Sequence, residues 1–154
     1  MKTIDASPRA SSHLKTLQRV GYTLNTAISD LIDNSITAKA TDINIFFDIE
    51  NVVLKILDNG IGMSKSELEK NMVIGCKDPL DKREKSDLGR FGSGMKMASF
   101  SQAHKLSVIT REQNSDNSGI FYDVDEIYET DKWVMHELEK EELTDSVFDE
   151  NYKS

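Results

Sequence analysis

Asp30-Leu31-Ile32-Asp33-Asn34-Ser35-Ile36-Thr37-Ala38 lies inside a helical pattern. Leu24, Ala27, Ile28, Leu31 and Ile32 recur at the spacing of one apolar helix face. Asp30, Asp33, Asn34 and Thr37 occupy the other face. Asp30 and Asn34 are one turn apart and point the same way. A carboxylate and a carboxamide so placed can hold a water and a metal-bound phosphate side by side. By itself the same face also reads as the solvated side of an amphipathic helix. The helix is expected to start at a cap on Thr23 or Asn25, just after Gly21-Tyr22, and to run to about Ala40.

Outward from this helix the period changes to two. Ile43, Ile45, Phe47 and Ile49 alternate over 42–49, and Val52, Leu54 and Ile56 follow the turn residues Glu50-Asn51, a hairpin. Asp58-Asn59-Gly60-Ile61-Gly62-Met63 closes the second strand. Glycines there let the backbone turn sharply and admit a flat ligand, and Asp58 can accept from an exocyclic amine such as that of adenine. A strand-to-helix turn with an Asx cap is the plainer reading of the same residues. Ser64-Lys65-Ser66-Glu67 then forms a capping box, with Met63 and Leu68 as a hydrophobic staple.

Residues 75–86 show no period and read as a loop of about a dozen residues, a length that often marks a lid. They lead into Leu88-Gly89-Arg90-Phe91-Gly92-Ser93-Gly94-Met95-Lys96. Backbone N–H groups at glycines before a helix N-terminus make an anion site. Lys96 adds a cation on the first turn of a helix expected over 95–102. A flexible hinge is the alternative. Both Gly-x-x-x-x-Gly-Lys-[Ser/Thr] and Gly-x-Gly-x-x-Gly are absent, which argues against a P-loop and a dinucleotide fold.

The remainder reads as strands around Leu106, Val108 and Thr110, around Ile120, Tyr122 and Val124, and around Trp133 and Met135. Before the central helix, Ser7-Pro8 suits a helix start, with Ser7 as cap and Pro8 at the first helical position. Residues 139–154 are acidic with sparse apolar anchors and read as a frayed end. The order of elements is that of an α+β domain, with helices layered on one face of a mixed, mostly antiparallel sheet.

At 154 residues the chain has enough length for a single domain with a real core. A net charge of −8 argues against a generally basic nucleic-acid surface, although Lys65 to Arg90 is nearer balance and suits an anionic ligand. No apolar run approaches a membrane span, the lone Cys76 excludes a disulfide framework, and the N-terminus has no signal-like stretch. These features fit an intracellular, cytoplasmic protein without membrane contact.

Three motifs occur in order: Asp30-x-x-x-Asn34 on a helix, Asp58-x-Gly60-x-Gly62 after a strand, and Gly89-x-x-Gly92-x-Gly94 before a helix. Together they resemble the GHKL ATPases, a superfamily that includes gyrase B, MutL, heat-shock 90 chaperones, histidine kinases and MORC proteins. Gly21-Tyr22, Ile32-Asp33-Asn34-Ser35 and Leu88 to Lys96 look most like the MORC and MutL-like branch and its prokaryotic relatives. The resemblance covers roughly residues 21–110.

It implies a Bergerat fold, a two-layer α/β sandwich that binds ATP and Mg²⁺ under a lid over 75–96. Asn34 would hold the Mg²⁺, and Asp58 would accept from the adenine amino group. Gly60, Gly62 and Met63 would shape the adenine pocket, with Ala38 and Ile74 as apolar walls. Gly89, Arg90, Phe91, Gly92, Ser93, Gly94 and Met95 would form the phosphate loop, with Lys96 reaching toward the phosphates. Asp30 would be the catalytic base, in slow Mg-dependent hydrolysis of ATP to ADP and phosphate. Lid closure and homodimerisation through residues 1–20 would follow ATP binding, and any DNA contact would come through other domains of a longer protein.

Two departures matter. Asp30 stands where the family usually has Glu, shorter by one methylene, roughly 1.5 Å of bond length, and a misplacement near 1 Å can cost about 10²-fold in rate. Thr37 stands where an Asp is common. A further strand with a Gly-Thr pair and a domain donating a Lys to the γ-phosphate, both frequent in hydrolytic members, are not evident in the sequence. A non-catalytic ATP-binding switch is therefore the alternative. A histidine-kinase catalytic domain fits less well, because His13, His104 and His136 lie in unsuitable places for a phospho-acceptor.

Overall fold

A computed structural model of the chain describes residues 7–19, 21–74 and 94–144. Glycines 89 and 92, with Arg90, Phe91 and Ser93, lie outside the described residues, as does the expected loop over 75–86. The elements are α1 (Ala10–Gln18), α2 (Leu24–Thr37), β1 (Ile43–Asp48), β2 (Val53–Asp58), α3 (Lys65–Met72) and α4 (Gly94–Gln102). They continue as β3 (Lys105–Thr110), β4 (Ser118–Asp123), α5 (Val124–Thr130), β5 (His136–Glu137) and α6 (Lys140–Thr144). The class is α+β with antiparallel sheets, consistent with a Bergerat fold. Among the described residues the sheet is in two parts, β1-β2 and β3-β4-β5.

The caps form as the sequence predicts. Thr23 accepts the Thr26 N–H at the start of α2, and Ser64 and Glu67 close a full capping box on α3. The α1 start differs: Arg9, not Ser7, is the cap, and it makes no side-chain cap bond. A distant carboxylate takes over this role. Asp131, in left-handed backbone after α5, accepts from the Ser11 N–H at 3.0 Å and from the Arg9 guanidinium at 2.5 Å. These bonds hold the Asp131 pKa down at about 2.

The hairpin keeps its expected pairing, with Ile45 opposite Ile56 and Phe47 opposite Leu54. Its turn is longer than Glu50-Asn51. Asp48 accepts from the N–H groups of Glu50 and Asn51, which draws Ile49 and Val52 out of the strands. Val52 takes φ 53°, a strained value for a β-branched residue.

The core lies on the other half of the molecule. Leu14, Leu68, Met72, Phe100, Val124 and Ile127 are fully buried and join Ile120 and Tyr122 in one cluster. Phe100 and Tyr122 meet edge to face at 5.4 Å, and the Tyr122 hydroxyl donates to the Met72 carbonyl. Leu14 brings α1 into this core. The expected strand at Val124 ends one residue earlier. Asp123 caps α5 by accepting the Asp125 N–H, so Val124 and Ile127 are buried from a helix. Trp133 and Met135 pack against the cluster, and only His136–Glu137 pair as β5. Residues 140–144 are not frayed: Leu143 is 7% exposed in α6, and its side chain meets Gly119. The rest of the expected frayed end, 145–154, lies outside the described residues.

Candidate nucleotide site

The site begins where α2 ends and β2 ends. Asp58 is the last residue of β2, and both its carboxylate oxygens are engaged. Oδ1 accepts from the Gly60 N–H at 2.9 Å, and Oδ2 accepts from the Ser35 hydroxyl at 2.7 Å. Ser35 is 5% exposed. It comes from α2, one residue beyond Asn34, so the helix motif and the strand motif meet through this bond. Ser35 and Tyr22 are contributors that the three motifs did not single out as site residues. Ser35 lies within the quoted stretch, but its burial depends on where β2 docks.

Gly60 is pressed against the end of α2. A Cβ on it would lie 2.8 Å from both the Ala38 Cβ and the Ala38 carbonyl oxygen, and that carbonyl accepts from the Ile61 N–H. Ala38 and Gly60 are therefore in direct contact. Asn59 supports the same corner from below, its carboxamide oxygen accepting the N–H groups of Thr41 and Asp42. Gly62, at φ +68°, faces the other sheet. A Cβ there would stand 2.0 Å from the Arg111 carbonyl oxygen, so only glycine fits. Met63 follows, and its N–H donates to the buried Thr110 hydroxyl. The Asp58–Met63 turn is thus a seam between β2 and β3.

Asp30 and Asn34 lie one turn apart on α2, both half-buried. The Tyr22 hydroxyl donates to Asp30 Oδ2 at 2.7 Å, which pushes the Tyr22 pKa up to about 12. The N-terminus of α4 closes on the same carboxylate: a Cβ at Gly94 would be 4.0 Å from Asp30 Oδ2. α2 packs most closely against α4. Ala27 of the expected apolar face is buried, whereas Leu24, on the same face, stays about half exposed. The helix motif is thereby brought to Gly94, the last glycine of the third motif.

Two expected residues are placed elsewhere. Lys96 is fully buried, and its ammonium donates to the Asn71 carbonyl and, at 2.7 Å, to the Val73 carbonyl. These are carbonyls at the C-terminal end of α3, where a helix attracts a cation. Lys96 thus clamps α3 to α4 through backbone carbonyls. Ile74 lines a cleft of about 210 Å³ with Val73, Tyr122, Trp133 and Met135. Ile74 also packs against the core cluster. Met95 also packs against the core cluster.

The donor set suits a purine nucleotide: a fixed carboxylate for an amine, a surface without Cβ atoms for a flat ring, and a helix N-terminus beside a polar helix face for phosphates. A family model described as histidine kinase-, DNA gyrase B-, and HSP90-like ATPase matches residues 22–153. The chain belongs to this ATPase family, the GHKL superfamily. Among curated relatives, the ATPase morc-1 of Caenorhabditis elegans is 32% identical over 56% of this chain and 10% of its own length. The ATPase MORC2B of Mus musculus is 28% identical over 73% of this chain and 11% of its own. The chaperone protein HtpG of Shouchella clausii is 31% identical over 75% of this chain and 21% of its own. The chain thus spans between a tenth and about a fifth of these relatives. Membership of this ATPase family supports ATP binding by the chain.

Proposed function

We propose that the chain binds ATP with Mg²⁺ at the Asp58 corner and hydrolyses it slowly to ADP and phosphate. The observation that carries this reading is Asp58 itself. Its two oxygens are held by Gly60 and Ser35, and Gly60 is packed too tightly on Ala38 to carry a side chain. A carboxylate fixed in this way accepts a hydrogen bond from an adenine amine without first having to be ordered. Asn34 would hold the Mg²⁺ through its carboxamide oxygen. A single protein ligand suits an ion that binds mainly through phosphates and water. The backbone N–H groups at the start of α4 would face the phosphates.

Asp30 would take a proton from the attacking water. The water oxygen bonds to the γ-phosphorus, the bridging bond breaks, and its electron pair leaves with ADP. Short reach makes the step slow. Closure of 75–96 over the nucleotide and dimerisation belong to the same reading.

The test is titration with a non-hydrolysable ATP analogue, with and without Mg²⁺. Asn34→Ala should abolish the Mg²⁺-dependent part of the affinity, and unchanged affinity would count against the site. The switch reading draws on the shortness of Asp30. Asp30→Glu separates the two: a large rise in turnover marks a weakened hydrolytic site, and no change favours the switch.

A further inference from the structure

Asp30 is not alone in the site. Tyr22 lies eight residues earlier, ahead of the α2 cap, yet its hydroxyl reaches Asp30 Oδ2 at 2.7 Å. The tyrosine is itself anchored, because its carbonyl accepts from Gln102 Nε2 at the far end of α4, at 3.0 Å. α4 therefore anchors Tyr22 by its last residue, and its first, Gly94, lies beside Asp30. An aspartate side chain has few torsions, and a short hydrogen bond to a charged oxygen narrows its orientations further. The bond is made to Oδ2, and among the described residues no hydrogen bond to Oδ1 is seen.

We propose that Tyr22 is the positioning residue of the hydrolytic step, holding the Asp30 carboxylate turned so that Oδ1 receives the water's proton. This rests on the reading of Asp30 as the base. It gives the short acid a physical partner. A Glu at position 30 gains reach through a flexible stem, whereas this Asp gains fixed direction through the phenol. The raised Tyr22 pKa keeps the hydroxyl a donor throughout the neutral range.

The experiment measures steady-state ATP turnover, analogue affinity and thermal stability for four proteins: the native chain, Tyr22→Phe, Asp30→Asn and the double variant. The phenylalanine keeps the ring and removes only the hydroxyl. The expected result is a fall in kcat of about 10-fold or more for Tyr22→Phe, with analogue affinity within about twofold of native. The same change should have no effect in the Asp30→Asn background, because the two residues act as a unit. Unchanged kcat in Tyr22→Phe overturns the inference while leaving Asp30 as the base. A loss of affinity or stability that parallels the loss of kcat also overturns it and assigns Tyr22 a structural role. If Asp30→Asn retains native turnover, or the native chain turns over no ATP, the base reading fails and this inference falls with it.

Discussion

The two halves of the molecule are held by different physics. Around β3-β4-β5, the helices α1, α3, α4 and α5 bury Leu14, Leu68, Met72, Phe100, Val124 and Ile127 completely. The β1-β2 hairpin has no fully buried residue: Phe47 is 58% exposed and Val52 80%. Yet the hairpin carries Asp58, the residue on which nucleotide recognition depends in this account. Burial does not hold it there. Asp58 is fixed by hydrogen bonds from Ser35 and Gly60, by the Asn59 brace under Thr41 and Asp42, and by the close contacts of Gly60 with Ala38 and Gly62 with Arg111. A turn can thus be fixed at a loosely packed edge when backbone contacts and polar bonds replace a core.

The seam is where this contrast is most easily broken. Gly62→Ala is expected to cost about 3 kcal/mol or more, since it adds both a positive-φ strain and a clash with the Arg111 carbonyl. Denaturant unfolding would measure it, and analogue affinity should fall with it because the Asp58–Met63 turn must move. A neutral result would mean that the two sheets are not joined there.

The next comparison sets one core residue against one hairpin residue. Leu14→Ala should destabilise by about 2–5 kcal/mol through the cavity it leaves. Phe47→Ser, at a larger but exposed side chain, should stay within about 0.5 kcal/mol. Equal costs in unfolding midpoints would show that the hairpin is covered in solution, and the contrast would be lost.

The smallest effect is a pH effect. The hydrogen bonds from Ser11, then the Arg9 guanidinium, hold the folded Asp131 pKa at about 2, below its ordinary value. Its contribution is therefore full above the ordinary carboxylate range, about pH 4, and is lost as pH falls through about 2. Asp131→Asn should flatten the acid limb of stability against pH in that window, read from urea midpoints. An unchanged limb would assign acid sensitivity to other carboxylates.

The contrast between the halves also explains what the sequence revealed. The hairpin, the α3 capping box and the glycine turn were legible because each is written in local spacing: alternation at Ile45 and Phe47, Ser64 to Glu67, and Gly60 to Gly62. The helix motif was legible for the same reason. What escaped was set by distant partners. Asp131 replaces the expected cap at Ser7, Asp123 turns Val124 into a helix start, and Lys96 is bonded to the end of α3. The α5 signal was present in Asp123-Val124-Asp125-Glu126, an acidic first turn behind a capping Asp, but the apolar alternation of Ile120, Tyr122 and Val124 masked it. The role of Ser35 could not be read from the helix alone, because the carboxylate it serves lies 23 residues away.

The central claim is that Asp58 reads adenine. Calorimetric titration of the native chain and of Asp58→Asn with a non-hydrolysable ATP analogue, in Mg²⁺, tests it most directly. Mg²⁺-dependent binding to the native chain is expected, with a loss of about 10- to 100-fold in Asp58→Asn, the worth of one hydrogen bond to a charged acceptor. Equal affinity in the two proteins would contradict it.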